Sequence, residues 1–315
     1  MVISSSTIFR VADVLALLVM PFLVVGVINR TKSLWSGRRG PPILQPLWDV
    51  LRLLRKRSVY SETTTPVFRV GPWGFLLTTV GSAAVTPILG AAPLVSFPFD
   101  FVWFAYVWAL GRVAVMLAAL DTGSSFEGMG AAREATFSTL LEPALFLAAG
   151  ALSLGAGAGG HALADLLVPR LTAGDGSLMV WLGSVVTLFI VLQVESARMP
   201  VDDPTTHLEL TMVHEVMILD HSGPDLAAIQ TGAALKLTVA ASVVATLLNP
   251  WAGTTAPRTA ALNLGLTLVI AVVVGTIESL IARLKLRTVP KYIAVALASA
   301  ALALLATGWR NGGTP

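Results

Sequence analysis

The chain has 315 residues, 55% hydrophobic and only 12% charged, with a mean hydropathy of +0.78 and a net charge of +3. Soluble domains carry about 25% charged residues, so a water-soluble globular protein of this size is excluded. There is no cysteine, which excludes disulfides, thiolate metal sites and iron–sulfur clusters held by this chain.

Apolar runs long enough to cross a bilayer are predicted at 8–28, 74–95, 97–120, 139–159, 178–194, 226–248, 260–282 and 289–307. They define an all-α fold, a polytopic membrane helix bundle of about eight transmembrane helices, with residues 1–315 forming a single transmembrane domain. The N-terminal MVISSSTIFR has neither the basic n-region nor the cleavage site of a secretory signal, so the first span is expected to be retained. In the long loop 29–73, Pro46 is followed by Leu47, Val50, Leu51 and Leu54 at helical spacing, with Asp49, Arg52, Arg55 and Lys56 on other faces. That pattern predicts a short amphipathic helix lying on the membrane surface. The odd-numbered loops, with Lys291 at the edge of the last span, hold fifteen of the 21 Lys and Arg residues. The positive-inside rule therefore places these loops in the cytoplasm and both termini outside. None of the four histidines falls in a predicted span, so a haem clasped between facing helices is not expected.

The fifth loop reverses the charge of its side. Residues 195–226 contain Glu195, Asp202, Asp203, Glu209, Glu215, Asp220 and Asp225, seven of the 18 acids, together with His207, His214 and His221. Asp203-Pro204 is a good helix start, and a helix from there would align His207, Thr211, His214, Glu215 and Ile218. A zinc-protease pattern fails because position 218 is Ile. His207 and His214 would stand about 10 Å apart by helix rise, too far to grip one ion. Two readings stay open: a solvated acidic surface that docks a partner, and a string of carboxylates and histidines that handles protons. Glu142 and Glu278 lie near the cytoplasmic ends of their spans, and Glu195 ends a short one. Lys236 sits about ten residues into its span, roughly 15 Å deep at helical rise, where a lysine is a functional candidate by default. Arg112, nearer its span's inner end, is expected to snorkel in part.

Three inner-side motifs, in order, resemble the membrane subunit family shared by respiratory complex I (its NADH dehydrogenase subunit 1) and energy-converting NiFe hydrogenases. They are GRRGPPILQPLWDVLRLLRK over 37–56, Gly130-Ala131-Ala132-Arg133 running on to Glu142, and Glu195-x-x-Arg198-x-Pro200-x-Asp202. The run PVDDPTTHLELTMVHEVMILDHSG over 200–223 looks like the hydrogenase branch, the formate hydrogenlyase subunit 4 type.

The resemblance implies a non-catalytic membrane anchor and coupling subunit in the cytoplasmic membrane. It would bind no cofactor itself. The NiFe centre and iron–sulfur clusters would lie on partners: hydrogenase large and small subunits and iron–sulfur subunits, beside antiporter-like membrane subunits, with no nucleic acid. It further implies proton-path roles for Glu142, Glu195, Asp202 and Glu209, which match the family's motifs; Asp203, Glu215 and Glu278 join them by location, and Lys236 by its depth in the span. The expected docking surface is Arg38, Arg39, Gln45, Asp49, Arg133, Arg198, His207 and His214. A complex I-like subunit lining a quinone chamber is the alternative within the family, and a free-standing ion transporter the alternative outside it.

Overall fold

The computed structural model describes residues 5–156, 162–169, 177–202 and 212–312. Helix α1 (Ser5–Trp35) is followed by α2 (Gln45–Leu54), α3 (Pro66–Val85), α4 (Asp100–Asp121), α5 (Ser125–Ala156) and the single turn α6 (Leu163–Leu166). Then come α7 (Ser177–Glu195), the single turn α8 (His214–Met217), α9 (Gly223–Leu248), α10 (Pro257–Leu280) and α11 (Val289–Gly312). Among the described residues there is no strand. Seven helices, α1, α4, α5, α7, α9, α10 and α11, are long and apolar enough to cross a membrane. In α3, Arg69 and the Gly71-Pro72-Trp73-Gly74 run dilute the apolar character of its 20 residues. The protein is an all-α polytopic bundle, as its composition requires.

The bundle winds around α9, whose span is 83% buried against 28–56% for the other six. Its sequence explains this position. Alanine and glycine recur along it, so neighbouring backbones approach closely, which is how helices associate where lipid removes the hydrophobic drive. On one side α9 packs against α3, which pairs with α4; on others it meets α1, α7 and α10, while α11 joins α5 and α7. The α3–α4 contact depends on small residues. A Cβ at Gly71 would lie 2.6 Å from the Ala118 Cβ and 2.8 Å from the Ala114 carbonyl oxygen. Gly71→Ala is therefore expected to cost about 1–3 kcal/mol by overpacking, seen as a lower temperature of aggregation in detergent.

Three expectations are corrected. The second span is not 74–95 but a helix over 66–85. The Thr65 side chain accepts from the Val67 amide and Pro66 opens the first turn. Thr86 stands before Pro87, where the helical conformation is sterically disfavoured, so the helix stops. Residues 86–91 are nonetheless buried, which is why hydrophobicity alone extended the span. Backbone without helix survives at such depth only when protein groups satisfy it. Here Asn263 Nδ2 donates to the Ile88 carbonyl (2.8 Å), Ser242 Oγ to the same carbonyl (3.2 Å), and Thr246 Oγ1 to that of Pro87 (3.3 Å).

The third loop is the second correction. Most of it is helical: α5 begins at Ser125, so Arg133 and Glu142 ride on one long helix rather than on a loop and a span end. The third concerns the acidic loop. A helix starting at Asp203-Pro204 falls on residues 203–211, outside those described, and His214–Met217 is only one turn. The amphipathic helix of the first loop is present as α2, with Val50 buried and Trp48 and Leu54 exposed.

Candidate functional site, a buried ion network

The site grows from the end of α7. After Glu195 the chain turns through Ala197 in the left-handed region (φ 48°). The Arg198 amide donates to the Gln193 carbonyl (2.8 Å) and the Ala197 amide to that of Val194 (3.1 Å). This pair of bonds is the glycine-type helix ending that satisfies terminal carbonyls, here made with alanine. It reverses the chain and sends Glu195, Arg198 and Asp202 toward three different neighbours.

Glu195 points into the bundle. Its Oε2 lies 2.7 Å from Lys236 Nζ of α9, and its Oε1 accepts from Arg112 of α4. Arg112 also donates to Glu142 of α5. Lys236 is 4% and Arg112 7% exposed, and the lysine ammonium stands 5.3 Å above the Trp108 ring. Arg112 therefore does not snorkel: the two carboxylates hold it inside. Four helices thus contribute one charge each to a network of two cations and two anions, neutral as a set, in which Arg112, Glu195 and Lys236 are buried and Glu142 is half-exposed.

Arg198 instead reaches α10, where Glu278 accepts from it at 3.3 Å and also pairs with Lys32 of α1 at 3.0 Å. Asp202, 1% exposed, takes the third direction. Its Oδ1 lies 2.8 Å from Arg283 Nη2, and its Oδ2 accepts from the amides of Val213 (3.2 Å) and His214 (2.9 Å). The Glu-x-x-Arg-x-Pro-x-Asp motif is accordingly one short segment whose charged members each tie a different helix or loop.

Two small cavities flank the Arg112–Glu195 pair. One, of about 30 Å³, is lined by Phe75, Glu134, Ser196, His214 and Lys236 in addition to the pair. The other, of about 40 Å³, is bounded by Tyr106, Trp108, Glu142 and Phe146. Each has room for one or two water molecules, and polar groups line both. Sequence reasoning missed Glu134, whose only signal is its position directly after the motif's Arg133. It missed Lys32 and Arg283 as partners, which carry no local signal at all.

His214 lines the first cavity rather than an outer surface. Burial and the nearby Lys236 and Arg198 cations push it down to about 4, so it is neutral near pH 7. Glu215 goes the other way, raised to about 7 by burial and the Asp202 charge. His221, stacked on Phe68 at 4.0 Å, is held down to about 4 by burial. Asp203, His207 and Glu209 lie outside the described residues.

The expected docking residues divide. Arg38 and Arg39 are exposed, and Gln45 donates to Asp49 along α2 at 2.8 Å. Arg133 and Arg198 turn inward: Arg133 Nη1 donates to the Met212 carbonyl (2.6 Å), and Arg198 holds Glu278. A guanidinium at a bundle end finds stronger partners among unpaired carbonyls and carboxylates than in water. Among the described residues no group of three His, Asp or Glu side chains is placed to hold a metal ion.

Comparison with known proteins agrees with this architecture. The chain is 29% identical to hydrogenase-4 component C of Escherichia coli K12 over 244 residues, 78% of this chain and 76% of that one. It is 26% identical to formate hydrogenlyase subunit 4 of the same strain over 295 residues, 91% of this chain and 94% of that one. It is 25% identical to an NADH-quinone oxidoreductase subunit of Rubrobacter xylanophilus over 253 residues, 79% of this chain and 74% of that one. A chain of the membrane-bound sulfane sulfur reductase, an archaeal respiratory membrane complex, shares the fold with a TM-score of 0.78 at 18% identity, covering 95% of this chain and 98% of its own. The sequence model of the NADH dehydrogenase family matches residues 8–308, and the chain, a multi-pass membrane protein, belongs to that family.

Proposed function

We propose that this chain is the membrane-anchoring and coupling subunit of a membrane-bound hydrogenase of the formate hydrogenlyase type. It would dock a hydrophilic redox arm on its cytoplasmic loops and link that arm to proton or sodium movement. The observation that carries the reading is the buried network Glu142–Arg112–Glu195–Lys236 with a cavity on each side. A carboxylate that bridges two cations between two cavities can change partner or protonation state when charge arrives nearby. An anchor alone has no need to bury the three charges of Arg112, Glu195 and Lys236.

The hydrogenase branch is supported by the likeness to the two Escherichia coli hydrogenase components, which runs to 91% of this chain in one case. In this reading the NiFe centre and iron–sulfur clusters belong to partner subunits, and the antiporter-like subunits lie alongside in the membrane. The excess of Lys and Arg in the odd-numbered loops supports the cytoplasmic (inner) membrane, with both termini outside. Asp202, Glu215, Glu278, Asp203 and Glu209 extend the proposed proton path toward the arm.

Affinity purification in mild detergent, with partner identification and a viologen-linked hydrogen assay, tests this reading. Co-purified NiFe and iron–sulfur subunits with hydrogen activity are expected. A complex that reduces quinone and is inactive with hydrogen would replace the reading with the complex I-like one. A chain isolated alone and transporting ions would overturn both.

A further inference from the structure

The half of the bundle remote from the 195–202 motif holds two buried carboxyl groups that the network above does not use: Asp100, which accepts from the Leu163 amide and Ser96, and Asp13. Asp13 of α1 is 2% exposed. It lies 19 residues before Lys32 on the same helix, about 28 Å by helix rise, and Lys32 binds Glu278 at the motif end. The backbone amide of Leu89, in the buried segment that follows α3, stands near the Asp13 carboxyl. Its Oδ1 has no hydrogen-bond partner.

The residues on either side of Leu89 are set in a cage of uncharged polar groups. Asn263 Nδ2 and Ser242 Oγ both donate to the Ile88 carbonyl. Gly90, at φ 71°, sits so close to Asn263 that a Cβ there would be 2.9 Å from the Asn263 carboxamide carbon. The Gly253 amide donates to the Gly90 carbonyl at 2.8 Å, and Asn249 Nδ2 donates to Asn263 Oδ1 at 3.4 Å. Ser242, Asn249 and Asn263 are each fully buried.

No cation answers Asp13. Among the described residues it makes no ion pair, and Arg10, one turn away on α1, is exposed. Residues 86–99 contain no charged side chain. On α10 the charged residues are Arg258, over the Trp251 ring, and Glu278, held by Lys32 and Arg198. On α9 they are Asp225, bonded to Tyr60 and Trp73, and Lys236, paired with Glu195. All but Arg258 belong to the other half of the molecule. A carboxylate stripped of water and of countercharge is among the most unfavourable groups a bundle can hold, and the neutral acid is the form that fits.

We propose that Asp13 is a proton-carrying carboxyl on the side of the bundle opposite the Glu195–Lys236 centre. The unpartnered Oδ1 is the atom at which a proton is taken up and released. Uptake forms the O–H bond and release breaks it; no other bond changes. This deepens the coupling role proposed above and rests on it. It does not depend on which redox arm the chain serves.

The test uses the whole membrane complex. Dicyclohexylcarbodiimide reacts with protonated carboxyl groups in apolar surroundings, and peptide mapping by mass spectrometry locates the adduct. Modification of Asp13 is expected, slowing as the medium is made alkaline. In proteoliposomes, the Asp13→Asn complex is expected to keep its redox turnover and lose its ion movement, and Asp13→Glu to recover it. An unmodified Asp13 in the unaltered complex overturns the proposal, and this arm requires no variant to fold. Protection of Asp13 by sodium ions without a pH effect overturns the proton assignment. Ion movement in Asp13→Asn at the unaltered rate overturns the role. The flux assay is driven by whichever electron donor the complex accepts, so failure of the hydrogenase assignment is read separately.

Discussion

Glu195→Ala is expected to destabilise the protein by about 3–5 kcal/mol, the usual consequence of removing one partner from a buried ion pair. Arg112 and Lys236 would remain in the interior, 7% and 4% exposed, with Glu142 on Arg112 and Glu134 lining the same cavity. The loss would be read as a fall in thermal stability in detergent and in the yield of assembled complex. Glu195→Gln keeps the volume and an acceptor for Arg112 but removes the charge. It is expected to assemble and to lose coupled ion movement while redox turnover persists. Lys236→Met should be milder in stability, because Arg112 still neutralises Glu195. The double variant Glu195→Gln with Lys236→Met should then be less damaged than the sum of the two, by about 0.5–3 kcal/mol of coupling. Strict additivity would mean the 2.7 Å contact carries no energy, and full ion movement in Glu195→Gln would remove it from the path.

The second large effect is expected at Asp202. Its carboxylate joins Arg283 to the amides of Val213 and His214, and so anchors the segment that returns from the acidic loop to α9. Asp202→Ala leaves a half-buried guanidinium and two amides without that acceptor, a cost of up to about 3–5 kcal/mol when the pair is broken. The readout is limited proteolysis of the 203–222 stretch, which should become markedly faster. Arg283→Met should do less, since both amides keep their acceptor. Asp202→Asn should fall between them. Equal cleavage rates in all four proteins would show that the segment is held by its apolar contacts alone, through Val213, Val216 and Met217.

Much of the scaffold was legible because a bilayer imposes a length. The run 178–194 became Ser177–Glu195, and 226–248 became Gly223–Leu248. Legibility failed where hydrophobicity and helicity part company. Residues 86–91 are as buried as any span yet not helical, since Pro87 ends α3 and Asn263 and Ser242 supply the hydrogen bonds a helix would have provided. The reverse occurs at the start of α5, where Glu127, Arg133 and Glu134 make a helix look like a loop.

Within the site the division is sharper. Composition and spacing already pointed to Glu142, Glu195, Asp202, Lys236 and Glu278 as groups out of place in an apolar chain. They did not show which met which, and they left Asp13 unremarked at the start of an ordinary span. Arg112 and Glu195 are 83 residues apart and Arg198 and Glu278 are 80 apart, whereas helical periodicity relates only neighbours three or four positions away. The sequence by itself determined that the chain lives in a membrane, where its helices run and which residues bear a cost there. How that cost is met came from the packing: Glu195 between two cations, Glu142 on one of them, and at Asp13 a buried carboxyl with no ion pair among the described residues. Charge neutralisation in a low-dielectric interior acts across space, and the packing around α9 sets those distances.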